Sequence, residues 1–294
     1  MKIKHYFKEM RIKSWLKNSF VFFPVIFSKE LLQWDKFIQT IMLALSFCFV
    51  SSAIYVLNDI CDVENDRRHD VKKNRPIAAG QISIPSACTL AIGLMIAGLG
   101  MAFWINLSSF ILVVIYLVIN VLYSKWLKKK APIDCFCIAA GFVLRVMVGG
   151  TIVSEGVSEW MFLTVIALSL FMAFGKRRGE LRSYECGDTR NVLEEYEMKF
   201  LDGTVFMCAA LCVVFYSLWA ISHETGFVYT VPMVLFIVLR YLLLVFKGRK
   251  DADPTTLILS DRMLLIFSGI CAIIMMIMLY GTQIMTVLTA FWRW

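Results

Sequence analysis

The stretch "FIQTIMLALSFCFVSSAIYVL" (residues 37–57) carries no charge and runs directly into "NDICDVENDRRHDVKKNR" (residues 58–75). An uncharged apolar run of this length predicts a membrane-spanning helix, because about 20 helical residues cross the hydrocarbon core of a bilayer. The second stretch collects charge where that helix is expected to end: first the acids Asp59, Asp62, Glu64 and Asp66, then the bases Arg67, Arg68, Lys72, Lys73 and Arg75. We therefore expect a membrane protein with a charged site at this helix end.

The composition of the whole chain agrees with this expectation. Hydrophobic residues make up 59% of the 294 residues and charged residues 18%, whereas an ordinary soluble domain has roughly 45–50% apolar and about 25% charged residues. Further uncharged runs of membrane-spanning length occupy residues 81–124, 203–222 and 263–292. This composition excludes a soluble protein, and we expect no nucleic-acid partner.

The placement of the bases predicts how the chain is threaded through the bilayer. The net charge is +8, and most of the 30 Lys and Arg residues fall in five clusters, at residues 2–17, 67–75, 125–130, 176–199 and 240–262. Lys and Arg concentrate in cytoplasmic loops. The N-terminus and the charged site are therefore expected at the cytoplasmic face of a cell (inner or plasma) membrane, with Trp292 and Trp294 outside as interfacial anchors.

Alternating basic and base-poor turns predict nine transmembrane helices. Their expected spans are residues 13–28, 36–57, 84–104, 108–124, 133–153, 160–175, 202–222, 227–246 and 263–289. The predicted fold class is therefore an all-α, polytopic membrane bundle. No linker or low-complexity stretch divides the chain, so we expect residues 1–294 to form a single membrane-embedded domain.

The acids after residue 57 have the spacing of a metal site. Asn58, Asp62 and Asp66 are spaced i, i+4, i+8, which places them on one face of a continuing helix. Like charges at this spacing repel, and the helix C-terminus adds its own negative dipole. A divalent cation would resolve the conflict, and an oxygen-only ligand set indicates Mg²⁺. We therefore predict Asn58, Asp62 and Asp66 as metal ligands, with Asp59 beside them; the alternative is a solvated acidic loop neutralised by Arg67 and Arg68.

Several cations and polar groups are candidates for binding anionic substrates. Lys72 and Arg75 follow the acids directly, and Arg grips phosphate oxygens with two hydrogen bonds. Arg145 has about ten apolar or small residues on either side; a charge at mid-membrane is costly and usually faces a polar cavity or a partner. The alternative for Arg145 is a structural ion pair. Lys17 is a further candidate, although its side chain could instead extend to the membrane surface.

The motif after residue 57 resembles a known family of membrane enzymes. The string "NDICDVENDRRHDVKKNRPIAAG" (residues 58–80) is similar to the UbiA-type superfamily of intramembrane prenyltransferases, and most of all to its decaprenyl-phosphate phosphoribosyltransferase branch. The resemblance continues through "WLKN" at 15–18, "YSKWLKKK" at 123–130, "GFVLRVMVGG" at 141–150, "GKRRGEL" at 175–181 and "SDRM" at 260–263. It therefore covers most of the chain.

The resemblance implies an enzyme that transfers 5-phosphoribosyl from 5-phosphoribosyl 1-diphosphate (PRPP) to a polyprenyl phosphate, releasing diphosphate, with one or two Mg²⁺ ions. Asp59, Lys72 and Arg75 would then be catalytic. Substrate-binding roles would fall to Lys17, Asn18, Tyr123, Lys128, Arg145, Lys176, Arg177 and Glu180. Neither the chain length of the lipid nor the oligomeric state follows from the sequence.

One departure from the superfamily pattern bears on the choice of substrate. Prenyl-transferring members carry a second acidic motif, of DxxxD type, in the loop after the sixth helix. This chain has "GKRRGELRSYECGD" (residues 175–188) at that point, and this base-rich stretch favours the phosphoribosyl branch. Two alternatives stay open: a UbiA-type prenyltransferase that moves a prenyl group from prenyl diphosphate to an aromatic acceptor, and a transporter for a phosphorylated solute.

Overall fold

The computed structural model describes residues 2–68, 72–182, 191–223, 226–247 and 260–291. The secondary structure within these ranges is helical, and eight of the helices are long and apolar enough to cross a membrane. They match the second to ninth predicted spans, which confirms the all-α, multi-pass membrane fold. Trp292 and Trp294, predicted as outer anchors, lie outside the described residues.

The chain divides into two compact units. The first comprises residues 1–127 and 141–157. It contains the helices α1 (Lys2–Glu9), α2 (Phe23–Phe27), α3 (Trp34–Cys61), α4 (Val63–Arg68), α5 (Ile84–Ile105), α6 (Leu107–Lys125) and the second half of α7 (Ile133–Gly150). Short 3₁₀ helices at Ile12–Phe22, Lys72–Asn74 and Leu127–Lys129 connect them.

The second unit comprises residues 128–140 and 158–294. It contains the first half of α7, followed by α8 (Glu159–Arg182), α9 (Met198–Ser222), α10 (Val231–Lys247) and α11 (Arg262–Phe291). Short 3₁₀ helices at Asn191–Glu195 and Phe227–Thr230 precede α9 and α10. The division leaves the prediction of one domain over residues 1–294 untested, and it stays a prediction.

The first predicted span, residues 13–28, differs from the other eight. It is not a long α-helix but the 3₁₀ helix Ile12–Phe22 followed by the five-residue α2. Pro24 stands at the start of α2, and a proline inside an α-helix would remove a backbone hydrogen bond and clash with the preceding turn. The proline therefore explains why a single continuous α-helix does not form there.

Close helix packing in the first unit fixes the position of α3. A Cβ atom added to Gly98 on α5 would lie 2.7 Å from Val50 Cγ2 and 2.9 Å from the Ser46 carbonyl oxygen on α3. Ser46 Oγ also donates a hydrogen bond of 2.6 Å to the Gly98 carbonyl oxygen. Glycine is thus required for the close approach of α5 to α3, and α3 carries the acidic motif at its end.

Candidate active site

The end of α3 positions the acidic motif. Asn58 and Asp59 belong to the last turn of α3, Asp62 stands between the two helices, and Asp66 lies in α4. The helical hydrogen-bond pattern continues across the break, since the Asp62 amide donates to the Asn58 carbonyl oxygen at 2.9 Å and the Asp66 amide to the Asp62 carbonyl oxygen at 2.8 Å. The predicted continuing helix is therefore present with one interruption at Asp62.

Asp59 and Asp66 converge on a single arginine nitrogen. Arg75 Nη1 donates to Asp59 Oδ1 at 3.0 Å and to Asp66 Oδ2 at 2.6 Å. Both aspartates are buried, whereas Asn58 and Asp62 are partly exposed. Asp59 and Asp66 are seven residues apart, which is about two helical turns. The structure thus joins Asp66 to Asp59, where the i, i+4, i+8 spacing had grouped it with Asn58 and Asp62.

The N-terminal segment contributes a second guanidinium to Asp59. Arg11 Nη2 donates to both carboxylate oxygens of Asp59, at 2.6 and 2.8 Å, and the guanidinium lies 4.7 Å from the centre of the Tyr55 ring. Arg11 has a φ of 51°, a left-handed backbone conformation that is uncommon for a residue with a side chain. Ser52 Oγ donates to the Met10 carbonyl oxygen at 2.8 Å. The segment is therefore held against the end of α3.

Glu9 lies beside Asp59 and completes a cluster of three acids and two arginines. Its side chain is almost fully buried. Burial and the neighbouring Asp59 raise the pKa of Glu9 to about 7, although Arg11 and Arg75 act in the opposite direction. Burial disfavours the charged form of a carboxyl group, and a like charge nearby adds to the effect. This cluster carries more negative than positive charge when all three acids are ionised.

The donor set at this cluster fits a hard divalent cation. Asp59 and Asp66 already direct carboxylate oxygens at one positively charged atom, the position that a bound cation would take over from Arg75. The part of the chain that the structure describes contains no group of three His, Cys, Asp or Glu side chains arranged to hold a metal ion. Mg²⁺ usually takes one or two carboxylates and completes its coordination with substrate phosphates and water, so Asp59 and Asp66 are sufficient.

Arg145 forms a second buried polar cluster in the first unit. Its Nε donates to Asn18 Oδ1 at 2.7 Å, its Nη1 to the Gly141 carbonyl oxygen at 2.6 Å and its Nη2 to the Tyr116 hydroxyl at 3.1 Å. The rings of Phe47, Tyr116 and Phe142 lie 4.9–5.7 Å from the guanidinium carbon. The structure thus brings together Asn18 and Arg145, two predicted substrate-binding residues that are 127 positions apart.

The remaining predicted site residues of the first unit lie nearer its surface. Lys17 belongs to the 3₁₀ helix that also carries Asn18, and Lys72 begins the 3₁₀ helix Lys72–Asn74 that precedes Arg75. Tyr123 lies in the last turns of α6. All three side chains are partly exposed. Their positions leave the predicted substrate contacts untested.

In the second unit, a buried network surrounds Arg177. Its Nε donates to Asp134 Oδ2 at 2.6 Å and its Nη1 to Glu180 Oε2 at 2.5 Å. The Tyr196 hydroxyl donates to the other Asp134 oxygen at 2.6 Å; burial and this hydrogen bond raise the pKa of Tyr196. Arg177 and Asp134 have side-chain exposures of 1% and 0%. Of the predicted substrate contacts, Arg177 therefore binds both Asp134 and Glu180, and Glu180 binds Arg177.

The described part of the base-rich stretch, residues 175–182, is helical, contrary to the expectation of a loop. Predicted to end at residue 175, α8 continues to Arg182, so that Lys176 and Arg178 lie on its last turns. Arg178 Nε donates to Asp202 Oδ1 at 2.6 Å, and the guanidinium lies 3.8 Å from the centre of the Phe246 ring. Lys176 is partly exposed and Lys128 is exposed. Residues 183–188 of the stretch lie outside the described part of the chain.

Sequence reasoning missed several residues of these clusters, among them Glu9, Arg11 and Asp134. Glu9 and Arg11 lie inside the basic cluster at residues 2–17, which was interpreted as a topology signal, and Asp134 was not predicted as a site residue. A signal for Glu9 was present, because it is the only acid among residues 1–17. No comparable signal identified the partner of Asp134, which is 43 residues away in Arg177.

The described part of the chain thus has eight apolar helices of membrane-spanning length, with two buried aspartates that bind one arginine at the end of one of them, as expected of a multi-pass membrane protein with a charged site. Residues 21–260 match the model of the UbiA prenyltransferase family. This match covers most of the chain, and the chain therefore belongs to the UbiA prenyltransferase family.

Comparison with individual relatives shows which members of the family this chain is similar to. The chain is 32% identical to the decaprenyl-phosphate phosphoribosyltransferase of Mycolicibacterium smegmatis, over 87% of this chain and 86% of that protein. It is 33% identical to the enzyme of the same name from Corynebacterium glutamicum, over 87% of this chain and 81% of the relative. The solved structure of a UbiA homolog from Archaeoglobus fulgidus bound to GPP and Mg²⁺ has the same fold, with a TM-score of 0.70 at 18% identity, over 94% of this chain and 98% of that one.

Proposed function

We propose that this chain transfers a 5-phosphoribosyl group from PRPP to a polyprenyl phosphate, with release of diphosphate, at the cytoplasmic face of the cell membrane. The observation that carries the proposal is the similarity, over most of both chains, to decaprenyl-phosphate phosphoribosyltransferases from two organisms. The end of α8 also supports the proposal. Prenyl-transferring members resembling this chain carry a second acidic motif at this point, whereas the described residues here are rich in bases and the acid Glu180 is bound to Arg177.

Asp59 and Asp66 are the residues that would hold Mg²⁺, with Asn58 and Asp62 beside them on the same helical stretch. Bound there, Mg²⁺ supplies positive charge to the diphosphate of PRPP. Two carboxylates that converge on one point suit an ion that also needs phosphate oxygens as ligands.

Arg75 and Lys72 are suited to binding the leaving diphosphate. Arg75 is the residue that now spans Asp59 and Asp66, and its side chain is 30% exposed. Its guanidinium can therefore turn towards a phosphate oxygen without crossing a sealed core. Lys72 lies three residues before Arg75, on the same connection. Preorganised positive charge at a site of developing negative charge is usually the largest contribution to such a rate enhancement.

The acceptor needs no general base. A phosphate monoester carries about −1.5 to −2 charges near neutral pH, so the lipid phosphate is already a nucleophile. Its oxygen forms a bond to the anomeric carbon of the ribose while the bond from that carbon to the diphosphate oxygen breaks, and both bonding electrons leave with diphosphate. The protein's task is to align the two reactants, which alone accounts for several kcal/mol of such a barrier.

Arg145 and Asn18 are suited to an anionic group of the substrates. The described partners of the Arg145 guanidinium are neutral oxygen atoms and aromatic rings, so its positive charge remains available to a phosphate. Lys17, Tyr123, Lys128 and Lys176 are proposed as further substrate contacts. Arg177 and Glu180 would act through the position of α8, since they bind each other.

The test is a radiolabel transfer assay with purified protein in detergent. Labelled PRPP, Mg²⁺ and a polyprenyl phosphate should yield label in the lipid phase, and EDTA should abolish the transfer. A parallel reaction contains labelled prenyl diphosphate and 4-hydroxybenzoate. Transfer in the parallel reaction alone would overturn the proposal in favour of aromatic prenylation, and transfer in neither would overturn the assignment of PRPP.

A further inference from the structure

Two arginines hold the same oxygen atom of Asp59. Arg11 Nη2 donates to Asp59 Oδ1 at 2.6 Å, and Arg75 Nη1 donates to this oxygen at 3.0 Å. Guanidinium groups bind carboxylate and phosphate oxygens through the same kind of charge-assisted hydrogen bond. Arg11 and Arg75 thus form an anion-binding cleft, and the Asp59 carboxylate fills this cleft in the structure.

The cleft is accessible through its arginines. The side chains of Arg11 and Arg75 are 32% and 30% exposed, whereas the side chain of Asp59 is 6% exposed. An anion from solvent can therefore reach both guanidinium groups, while the carboxylate that now binds them stays buried. Access of this kind suits a ligand that replaces the carboxylate.

Arg11 is held in place by contacts that do not involve its guanidinium group. On one side of it, the Met10 carbonyl oxygen accepts a hydrogen bond of 2.8 Å from Ser52 Oγ, and on the other side Trp15 Nε1 donates to Ser52 Oγ at 3.0 Å. Between these contacts Arg11 has a φ of 51°. Such a backbone conformation persists only where the surrounding structure enforces it, and it is common at ligand sites. Arg11 would therefore keep its position without Asp59.

We propose that Arg11 is a substrate-binding residue, and that Arg11 and Arg75 exchange the Asp59 carboxylate for oxygens of the diphosphate group of PRPP when Asp59 turns to the divalent cation. This inference rests on the proposed function and adds to it a residue 48 positions away from Asp59. Before the exchange, the carboxylate occupies both arginines and excludes the diphosphate. The metal-free protein thus blocks its own anion site.

The exchange leaves every charged group with a partner. In this structure, Asp59 and Asp66 are the partners of Arg11 and Arg75. With a divalent cation bound, the two carboxylates have a new positive partner and the two guanidinium groups need a new anion. A diphosphate group has several anionic oxygens, so it can act as a ligand of the cation and accept hydrogen bonds from both arginines. The cluster is therefore suited to binding diphosphate together with the cation.

A purely structural pair between Arg11 and Asp59 would behave differently. Its task would be to fix the N-terminal segment, and the loss of either partner would destabilise the protein without any gain in binding. If Asp59 instead blocks an anion site, neutralising its charge should create anion binding in the absence of metal. One substitution therefore separates the two roles.

The test is isothermal titration calorimetry of inorganic diphosphate into the purified full-length protein, in detergent and with EDTA. Asp59→Asn should bind diphosphate about 10-fold or more tightly than wild type, because a neutral amide competes less well for hydrogen bonds from charged groups. Adding Arg11→Gln to Asp59→Asn should reverse this gain. Glu64→Gln, which neutralises an exposed acid of the same helical stretch, is the control and should change the affinity less than about two-fold.

The second readout is the KM for PRPP in the transfer assay with Mg²⁺. Arg11→Gln should raise this KM about 10-fold or more, the effect of a lost hydrogen bond to a charged group, and leave the KM for polyprenyl phosphate unchanged. Arg11→Lys keeps the charge and should fall between wild type and Arg11→Gln. Lys13→Gln, at an exposed position of the same segment, is the control and should keep the wild-type KM.

Three results would overturn the proposal. The first is metal-free diphosphate binding to Asp59→Asn that is no tighter than to wild type. The second is a gain in Asp59→Asn that survives the addition of Arg11→Gln. The third is a wild-type KM for PRPP in Arg11→Gln. The calorimetric titration contains neither PRPP nor lipid, so a failure of the phosphoribosyl transfer assay is distinguishable from a failure of this proposal.

Discussion

The cluster at the end of α3 and the cluster at the end of α8 are both built from arginines and carboxylates, yet their arginines differ in exposure to solvent. Arg11 and Arg75, which bind Asp59, have side-chain exposures of 32% and 30%. In the second unit, Arg177 and Asp134 are sealed from solvent. In the first cluster the buried aspartates bind partly exposed arginines, whereas in the second a fully buried aspartate binds a fully buried arginine, which also binds Glu180.

This difference separates a binding site from a structural support. The guanidiniums of Arg11 and Arg75 are partly exposed, so water or an anionic ligand can replace a carboxylate as their partner, although Asp59 and Asp66 are themselves buried. A buried pair is costly to break, since the remaining partner is left charged without solvent. The cluster around Asp59 is therefore suited to exchanging partners with ligands, and the cluster around Arg177 to holding α7, α8 and the segment before α9 together.

The largest expected effect falls on catalysis at the first cluster. Asp66→Asn removes the negative charge of a carboxylate that binds Arg75. Transfer of label from PRPP should fall about 10³-fold, at the upper end of the effect of removing one preorganised polar group. The protein should remain folded, because Arg75 keeps its second partner, Asp59, and thermal unfolding checks this. Glu64→Gln on the same helix should keep wild-type activity. Retention of more than about a tenth of the activity in Asp66→Asn would contradict the role of Asp66.

The second effect falls on stability at the other cluster. Arg177→Met leaves Asp134 charged and buried, and should lower the free energy of unfolding by about 3 kcal/mol or more, as measured by denaturant unfolding in detergent. Adding Asp134→Asn should restore most of this loss. Arg67→Met, which breaks an exposed pair with Glu64, should cost less than about 1 kcal/mol. Equal effects of the two arginine substitutions would remove the distinction between the clusters.

The third effect is a pH dependence that originates at Glu9. Its pKa is raised from 4.5 to about 7 in the folded protein, so between these pH values the unfolded chain loses the proton while the folded chain keeps it. The contribution of Glu9 to stability should therefore be fully present below about pH 4.5 and fall by about 3 kcal/mol as the pH rises to about 7, since one pKa unit corresponds to about 1.4 kcal/mol.

The measurement for Glu9 is thermal unfolding without divalent ions, from pH 4.5 to 8, for wild type and Glu9→Gln. The substituted protein should show a flatter profile over this window, because the amide does not titrate. Parallel profiles of the two proteins would show that Glu9 does not cause the dependence.

The smallest effect concerns a single hydrogen bond in the second unit. Tyr196→Phe removes the donor to Asp134 Oδ1 and should lower the free energy of unfolding by about 1–2 kcal/mol, the cost of a lost hydrogen bond to a charged group. Label transfer should stay near wild type. Tyr229→Phe, at an exposed position, is the control and should be neutral. A loss of transfer without a loss of stability in Tyr196→Phe would place this cluster in the catalytic machinery.

The fold could be predicted from sequence because the length of an apolar run and its lack of charge are enough to predict a membrane-spanning helix. The run at residues 37–57 gave the right helix, although α3 extends four residues further and carries Asn58 and Asp59 inside it. The span at residues 13–28 was wrong as one α-helix because hydropathy does not register the backbone restriction at Pro24.

The candidate site could be predicted in part, for a physical reason. The prediction that the helix continues through Asp66 agrees with the structure apart from the interruption at Asp62, since helical spacing depends only on neighbouring residues. The contacts of Arg75 with both Asp59 and Asp66, and of Arg11 with Asp59, depend on how separate segments pack, and a single sequence contains no direct measure of that packing. Likewise, the helical end of α8 could not be recognised from its bases, because its charges are neutralised by Asp134 and Asp202 from other elements.

The contact between Arg11 and Asp59 has a consequence for biosynthesis. The two residues are 48 positions apart, so Arg11 leaves the ribosome well before its partner exists. Arg11 cannot form this contact until α3 has been synthesised. The contact of Lys8 with the Asn74 carbonyl oxygen can form only later. Arg11 can therefore reach its final environment only after α3 has been synthesised as far as Asp59.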